Sequence, residues 1–231
     1  MVRFNGFVRS SVVVPLLALA ACGGPPALYG DKSSPVTNPG GNSNNNTPPP
    51  DMAMVAYPAG PYGNMKGDVI AEQMFEGGYR LDATHTDSSA LDWAADIKFN
   101  DFHANPNCKA LVISYSATWC GACQQEQGAL PAEVDGKNGF CVLNIHIEGP
   151  QNGSNMVTKD DVDAWTQRFH QTYPVVLGNA AVRQLWNGWG QNGSIGLPFN
   201  FVVKPDTMEI MDAIQGFDPM IKDHAMQLCG Q

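Results

Sequence analysis

The rhythm of apolar and polar positions changes several times along the second half of this chain, and each change marks an element. Leu111-Val112-Ile113-Ser114-Tyr115 is a short run of mostly apolar residues, and Phe140-Cys141-Val142-Leu143-Asn144-Ile145-His146-Ile147 is another. Runs of that length predict strands covered on both faces, the first over residues 110–116 and the second over 140–147. Residues 121–134 predict a helix between them. Thr158-Lys159-Asp160-Asp161 has capping-box spacing ahead of a helix that gathers Val162, Trp165 and Phe169 on one side. Pro174–Leu177 reads as a short extended piece and Ala180–Trp186 as a short helix. Phe199–Val203 and Glu209–Ile214 form an antiparallel hairpin around a Pro205-Asp206 turn, and Pro219–Leu228 a closing helix. Upstream, Gly67–Ile70 and Phe75–Leu81 predict a hairpin turning at the glycine pair, followed by a polar loop and Ala90-Leu91-Asp92-Trp93. The order is βαβ, then α, then a hairpin and a helix, which predicts a three-layer α/β/α architecture around a mixed central sheet.

The first residues follow different rules. Arg3 and Arg9 precede the apolar run Val12–Ala21, too short to span a bilayer comfortably, and the run ends on small residues at Cys22. That is the pattern of an export leader over residues 1–21. Leu19-Ala20-Ala21-Cys22 resembles the bacterial lipoprotein box, which implies cleavage before Cys22 and lipidation of its thiol. An ordinary secretory leader with a chance cysteine is the plainer alternative. Gly23 follows where an aspartate would retain a lipoprotein in the inner membrane of enterobacteria, so the resemblance points to the outer membrane. Residues 22–56 are rich in Gly, Pro, Ser and Asn, with almost nothing to bury, and read as a flexible tether. At roughly 5–6 Å times the square root of its length it would hold a domain about 30 Å from a membrane. Residues 57–231 are one domain's worth of chain.

Charge narrows the partners. The formal net charge is −9, and Arg3 and Arg9 leave with the leader, so the mature chain is more acidic still. That balance argues against nucleic acid and against anionic lipid surfaces.

Candidate chemistry sits where the first strand meets the first helix, at Trp119-Cys120-Gly121-Ala122-Cys123. Two cysteines three apart at a helix N-terminus favour thiol–disulfide chemistry, because unpaired backbone N–H groups and the helix dipole stabilise a thiolate. A purely structural staple would close only a small loop and contribute little. For zinc, a second Cys-x-x-Cys or a His pair at ligand spacing is missing.

With these residues in view, the domain resembles the thioredoxin-like family, most closely its extracytoplasmic TlpA/ResA branch. Trp119-Cys120-Gly121-Ala122-Cys123 stands for that family's WCxxC, and Glu126 for an acid its members often carry three residues after the second cysteine. Gly196-Leu197-Pro198 stands for the cis-proline ahead of a strand, and Tyr173–Leu177 resembles the branch's strand before that proline. The resemblance covers residues 65–229. It implies that Cys120 attacks a substrate disulfide and Cys123 resolves the mixed disulfide, with Trp119 shielding one side. It also implies a cis Leu197-Pro198 bond that leaves Leu197 backbone groups free for a substrate strand. Two departures stand out. Thioredoxin carries a buried aspartate six residues before the first cysteine, and here that residue is Ser114. Glu126 could take over proton transfer in part, though a glutamate on such a helix is ordinarily a solvated surface residue. His146 reads as a strand-end histidine with a hydrogen-bonded partner. The motif also lacks the proline of many reducing members at Gly121-Ala122.

Cys108, Cys141 and Cys229 remain. An exported protein oxidises neighbouring thiols, so one structural disulfide is expected among them, with Cys108 and Cys141 the first choice because they begin neighbouring parallel strands in the proposed fold. His85, His103, His170 and His224 fall in polar segments and are assigned no role. The reading is a lipid-anchored protein facing the periplasm that exchanges disulfides with extracytoplasmic proteins. It needs no cofactor, and the resemblance supplies a membrane thiol carrier as electron donor and apocytochromes among the substrates. A copper-handling protein and a binding module with a vestigial cysteine pair are the alternatives. A peroxidase is disfavoured because its Pro-x-x-x-Thr-x-x-Cys context does not occur.

Overall fold

The computed structural model describes residues 56–81, 93–134, 136–149, 156–178, 180–186, 189 and 195–230, all of them within the unit Pro48–Gln231. The leader, Cys22, the tether up to residue 55, Ala90-Leu91-Asp92 and His85 lie outside the described residues. The elements are β1 (Tyr62–Gly63), β2 (Val69–Ile70), β3 (Gly78–Tyr79), a 3₁₀ turn (Phe99–Asp101), β4 (Ala110–Ala117), α1 (Gly121–Glu133), β5 (Phe140–Glu148), α2 (Lys159–Phe169), β6 (Val175–Leu177), α3 (Ala180–Arg183) running into a 3₁₀ turn (Gln184–Trp186), β7 (Phe199–Lys204), β8 (Glu209–Gln215) and α4 (Ile221–Cys229). Among the described residues no helix is long and apolar enough to cross a membrane.

One mixed sheet runs β1-β2-β8-β7-β4-β5-β6-β3. Strand β5 lies parallel between β4 and β6, while β7 is antiparallel to both β4 and β8. The order β6-β5-β4-β7-β8, with a β-α-β crossover through α1 and a cis peptide at Leu197-Pro198 entering β7, makes this a thioredoxin-like α/β fold.

Strand β4 is buried along its whole length, which explains its lack of a polar face. Leu111, Ile113 and Tyr115 point to one side, where they pack with Phe199, Phe201, Val182 and Leu185. Ala110 and Val112 point to the other, against Leu130 of α1 and Ile221 and Ala225 of α4. Helix α2 starts as its sequence demands: Thr158 Oγ1 accepts from the Asp161 N–H and the Asp161 side chain reaches back to the Thr158 N–H.

The predicted hairpin of Gly67–Ile70 with Phe75–Leu81 does not form. Val69 pairs with Glu209 of β8, and Gly78 pairs with Val176 of β6 on the other side of the sheet. The glycine pair is a place of close approach rather than a turn. A Cβ on Gly78 would lie 2.5 Å from the Val175 carbonyl oxygen, and one on Gly77 would lie 2.4 Å from the Trp93 ring. Missing side chains, not left-handed backbone, are what these two positions need.

Gly78→Ala is therefore expected to cost about 1–3 kcal/mol of unfolding free energy in urea melts, through overpacking of the β3–β6 edge. Gly121→Ala, whose Cβ would meet nothing within 4 Å, is expected to stay within about 1 kcal/mol of the parent. Equal effects at the two positions would show that the Gly78 approach is not tight.

Candidate active site

Strand β4 ends at Ala117, and three residues later the chain enters α1 with Cys120 as its N-cap. The Cys120 sulfur accepts a hydrogen bond from the Cys123 N–H at 3.1 Å, the position where a helix offers unpaired donors. Cys120 and Cys123 are joined as a disulfide with Cα atoms 5.2 Å apart, and both are buried. The loop ahead of them is tied down at several points. The Thr118 N–H donates to the Glu148 carbonyl, the Cys120 N–H to the Ala117 carbonyl, and the Gln124 side-chain amide to the Thr118 carbonyl.

Trp119 is 44% exposed, and its indole N–H donates to the Glu148 carboxylate at 2.9 Å. Arg183 of α3 pairs with the same carboxylate and also bonds the Ile147 carbonyl. Leu197 packs on the apolar cluster that contains Cys120 and Cys123. The Pro198 carbonyl accepts from Gly216, whereas the Leu197 backbone has no partner among the described residues. The three sequence signals, Trp119, the cysteine pair and Pro198, thus come from the loop after β4, the start of α1 and the entry to β7.

Glu126 is fully buried, which corrects the expectation of a solvated residue. It lies one turn beyond Cys123 on the stripe Cys123, Glu126, Gln127 and Leu130 that α1 turns inward. The Ser114 hydroxyl donates to one carboxylate oxygen at 2.7 Å and the Asn200 amide to the other at 2.9 Å. Gln127 donates to Ser114 and accepts from Gln171 and Tyr173. Burial raises the Glu126 carboxyl to about 7, and the hydrogen bonds from Ser114 and Asn200 oppose that rise. Ser114 occupies the aspartate's place, and a carboxylate from the helix fills the space beside it. Asn200 and Gln127 escaped the sequence reading, although Asn200 inside Phe199-Asn200-Phe201 is a polar interruption of a buried strand.

His146 has the hydrogen-bonded partners expected of it near the end of β5, and it is fully buried. Its Nε2 lies 2.8 Å from Thr118 Oγ1 and its Nδ1 lies 3.3 Å from Ser116 Oγ. The Trp165 ring stacks against it at 4.6 Å. The Asn144 amide bonds both the Ser114 carbonyl and the Ser116 hydroxyl, linking this group to the one around Glu126. Burial pushes the His146 imidazole down to about 4.

At the other end of the sheet Cys108 and Cys141 are joined as a disulfide, with Cα atoms 5.7 Å apart. Cys229 is a free, buried thiol. It packs with Ala110 and Val112, whereas Cys108 and Cys141 pack with the opposite face, and it lines a surface pocket together with Cys108. Burial raises its thiol to about 11. His103 bonds the Pro205 carbonyl, His170 is the left-handed C-cap of α2, and His224 lies near Asp212 and Asp218. Among the described residues no group of three His, Cys, Asp or Glu side chains could hold a metal ion.

No family model matches the chain, and no curated protein matches it. Several solved structures are similar to it. A putative thiol:disulfide interchange protein DsbE from Chlorobium tepidum is 17% identical, with TM-score 0.47, over 71% of this chain and 94% of its own. A thiol:disulfide interchange protein from Bacteroides sp. is 14% identical, with TM-score 0.48, over 72% and 91%. StoA from Bacillus subtilis is 15% identical, with TM-score 0.43, over 66% and 95%.

The two buried titrating groups pull stability in opposite directions. Glu126 holds its proton up to about pH 7 in the folded state against an ordinary 4.5, so its contribution falls as pH rises between those values. His146 refuses a proton that the unfolded chain takes, so its contribution falls as pH drops from 6.5 to about 4. The slopes offset each other between pH 4.5 and 6.5. Glu126→Gln is expected to expose the histidine, stability then rising by about 2–3 kcal/mol from pH 4.5 to 6.5 relative to the parent's profile. Urea melts across that window check it, and parallel profiles for variant and parent would refute it.

Proposed function

We propose that this protein is a thiol–disulfide oxidoreductase acting on protein substrates outside the cytoplasm. The observation that carries the reading is the Cys120–Cys123 disulfide capping α1, with Leu197 of the cis peptide on the same cluster. In the reduced protein the Cys120 thiolate, favoured by the Cys123 N–H, attacks one sulfur of a substrate disulfide and expels the other as a thiolate. A mixed disulfide results. Cys123 then loses its proton and attacks the Cys120 sulfur, restoring the internal disulfide and releasing the substrate as a dithiol. Two electrons pass to the substrate, and an external thiol donor returns them.

Glu126 is the base assigned to Cys123. It shares the inward stripe of α1 with that residue, and a carboxyl near 7 can take up a proton at neutral pH. Trp119 walls one side of the pair, and Leu197 offers an extended substrate its backbone groups. The export leader, lipidated Cys22 and the tether would place the domain of residues 57–231 on the periplasmic side of a membrane, the outer one by the residue after Cys22, within reach of a membrane thiol carrier. The Cys108–Cys141 bond suits an oxidising compartment.

Titration in redox buffers is expected to show a two-electron transition that disappears in Cys120→Ser. Cys123→Ser is expected to accumulate a mixed disulfide with a disulfide-bearing substrate protein, visible on a non-reducing gel. A potential near about −270 mV would make the protein a reductant, and one near about −120 mV an oxidant. If the parent and Cys120→Ser titrate alike, the oxidoreductase reading fails.

A further inference from the structure

His146 is a buried ionisable side chain that the exchange reaction above does not use. We propose that His146 is a positioning residue for the redox loop, holding Thr118 so that Cys120 keeps its place at the mouth of α1. The inference rests on the oxidoreductase reading.

Three observations carry it. First, the imidazole is fully buried and oriented from three sides: Trp165 lies against the ring, Ser116 meets Nδ1, and Thr118 meets Nε2 at 2.8 Å. Trp165 meets the imidazole with its ring tilted by 40°, and its indole N–H, buried without a partner among the described residues, adds no hydrogen bond to it, so the contact orients the imidazole by shape. Among the described residues, the carboxylate of Asp161 at the start of α2 acts on the ring from a distance.

Second, Thr118 is the residue through which the loop is held. Its N–H goes to Glu148 of β5 and its carbonyl receives Gln124 from the first turn of α1. Both are backbone anchors, and the hydrogen bond to His146 fixes the remaining group, the hydroxyl. A β-branched side chain fixed at its hydroxyl has its χ1 set as well.

Third, Cys120 depends on that anchoring. Two residues after Thr118, its sulfur must stay 3.1 Å from the Cys123 N–H. Stabilisation of a thiolate by a helix N-terminus falls off within a turn. A loop free to shift would spread Cys120 over positions where that N–H is out of reach. The thiol would then be harder to deprotonate, and the reduced form would lose ground to the disulfide.

The test uses the full-length protein, with Cys120 alkylation by iodoacetamide followed across pH in the reduced state and the thiol–disulfide equilibrium measured against glutathione. His146→Leu and Thr118→Val are each expected to slow alkylation at pH 7 by about 3- to 10-fold and to shift the equilibrium toward the disulfide by a similar factor. Combining them is expected to add little, because both break one contact.

Glutamine and asparagine separate positioning from packing. His146→Gln can present its amide nitrogen near the imidazole Nε2 and is expected to recover most of the parent's rate, whereas His146→Asn reaches only toward Ser116 and should resemble His146→Leu. Melting temperatures identify any variant whose change is simply unfolding. A parent-like His146→Leu, or equal losses in the Gln and Asn variants with effects that add to Thr118→Val, would overturn the inference. An absent transition in the parent would instead sink the oxidoreductase reading itself.

Discussion

A hydrogen bond from the Cys123 N–H to the Cys120 sulfur is the contact on which the rest of this structure depends. It exists only if a strand stops, a loop turns, and a helix begins with a cysteine as its first cap. Strand β4 supplies the fixed point, since its burial on both faces leaves it no freedom of register. Three anchors from Ala117, Glu148 and Gln124 then bring the loop to the helix. Sulfur in the N-cap position has the environment of an anion site.

The two faces of the sheet divide the work. Under α3 the core is made of Tyr115, Phe199, Phe201 and their aliphatic neighbours, which is ordinary packing. Under α1 and α2 the same strands bury Ser114, Ser116, Asn144, His146 and Asn200. Burying so many polar groups is costly unless they satisfy one another. Here they do in large part, along a chain that runs from Glu126 through Ser114 and Asn144 to Ser116, His146 and Thr118. The polar side chains on this face are thus held in large part by direction-specific bonds rather than by shape alone. That arrangement suits a site whose atoms must stay in register through a change of bonding.

How much of this was legible follows from which forces act locally. The strands β4, β5, β7 and β8 and the helices α1, α2 and α4 were readable because long apolar runs and caps are local signals. The upstream hairpin was misread because Gly77-Gly78 carries two meanings, turn and close approach, and only the distant Val175 and Trp93 decide between them. At the site, the cysteine pair was legible from its spacing, and Pro198 only through the resemblance. The burial of Glu126 was not, since a glutamate on a helix is buried only when partners on other elements can satisfy it. Those partners, Ser114 and Asn200, lie on β4 and β7 and are separated in sequence from it. The clue was present as polar interruptions in otherwise apolar strands, together with the inward stripe of α1.

Placing the acid on the helix rather than on the strand has a consequence for the chemistry. A carboxylate on β4 would face Cys123 across an interface, and their spacing would change whenever the helix moved against the sheet. Glu126 and Cys123 instead ride on one rigid turn of α1. Opening and closing the disulfide can displace the helix mouth without separating the thiol from the carboxyl proposed as its base. Ser114 and Asn200 then act as hydrogen-bond donors that offset part of the cost of the buried charge when the proton has left. His146, pushed well below neutrality by its burial, stays uncharged over the range in which Glu126 titrates.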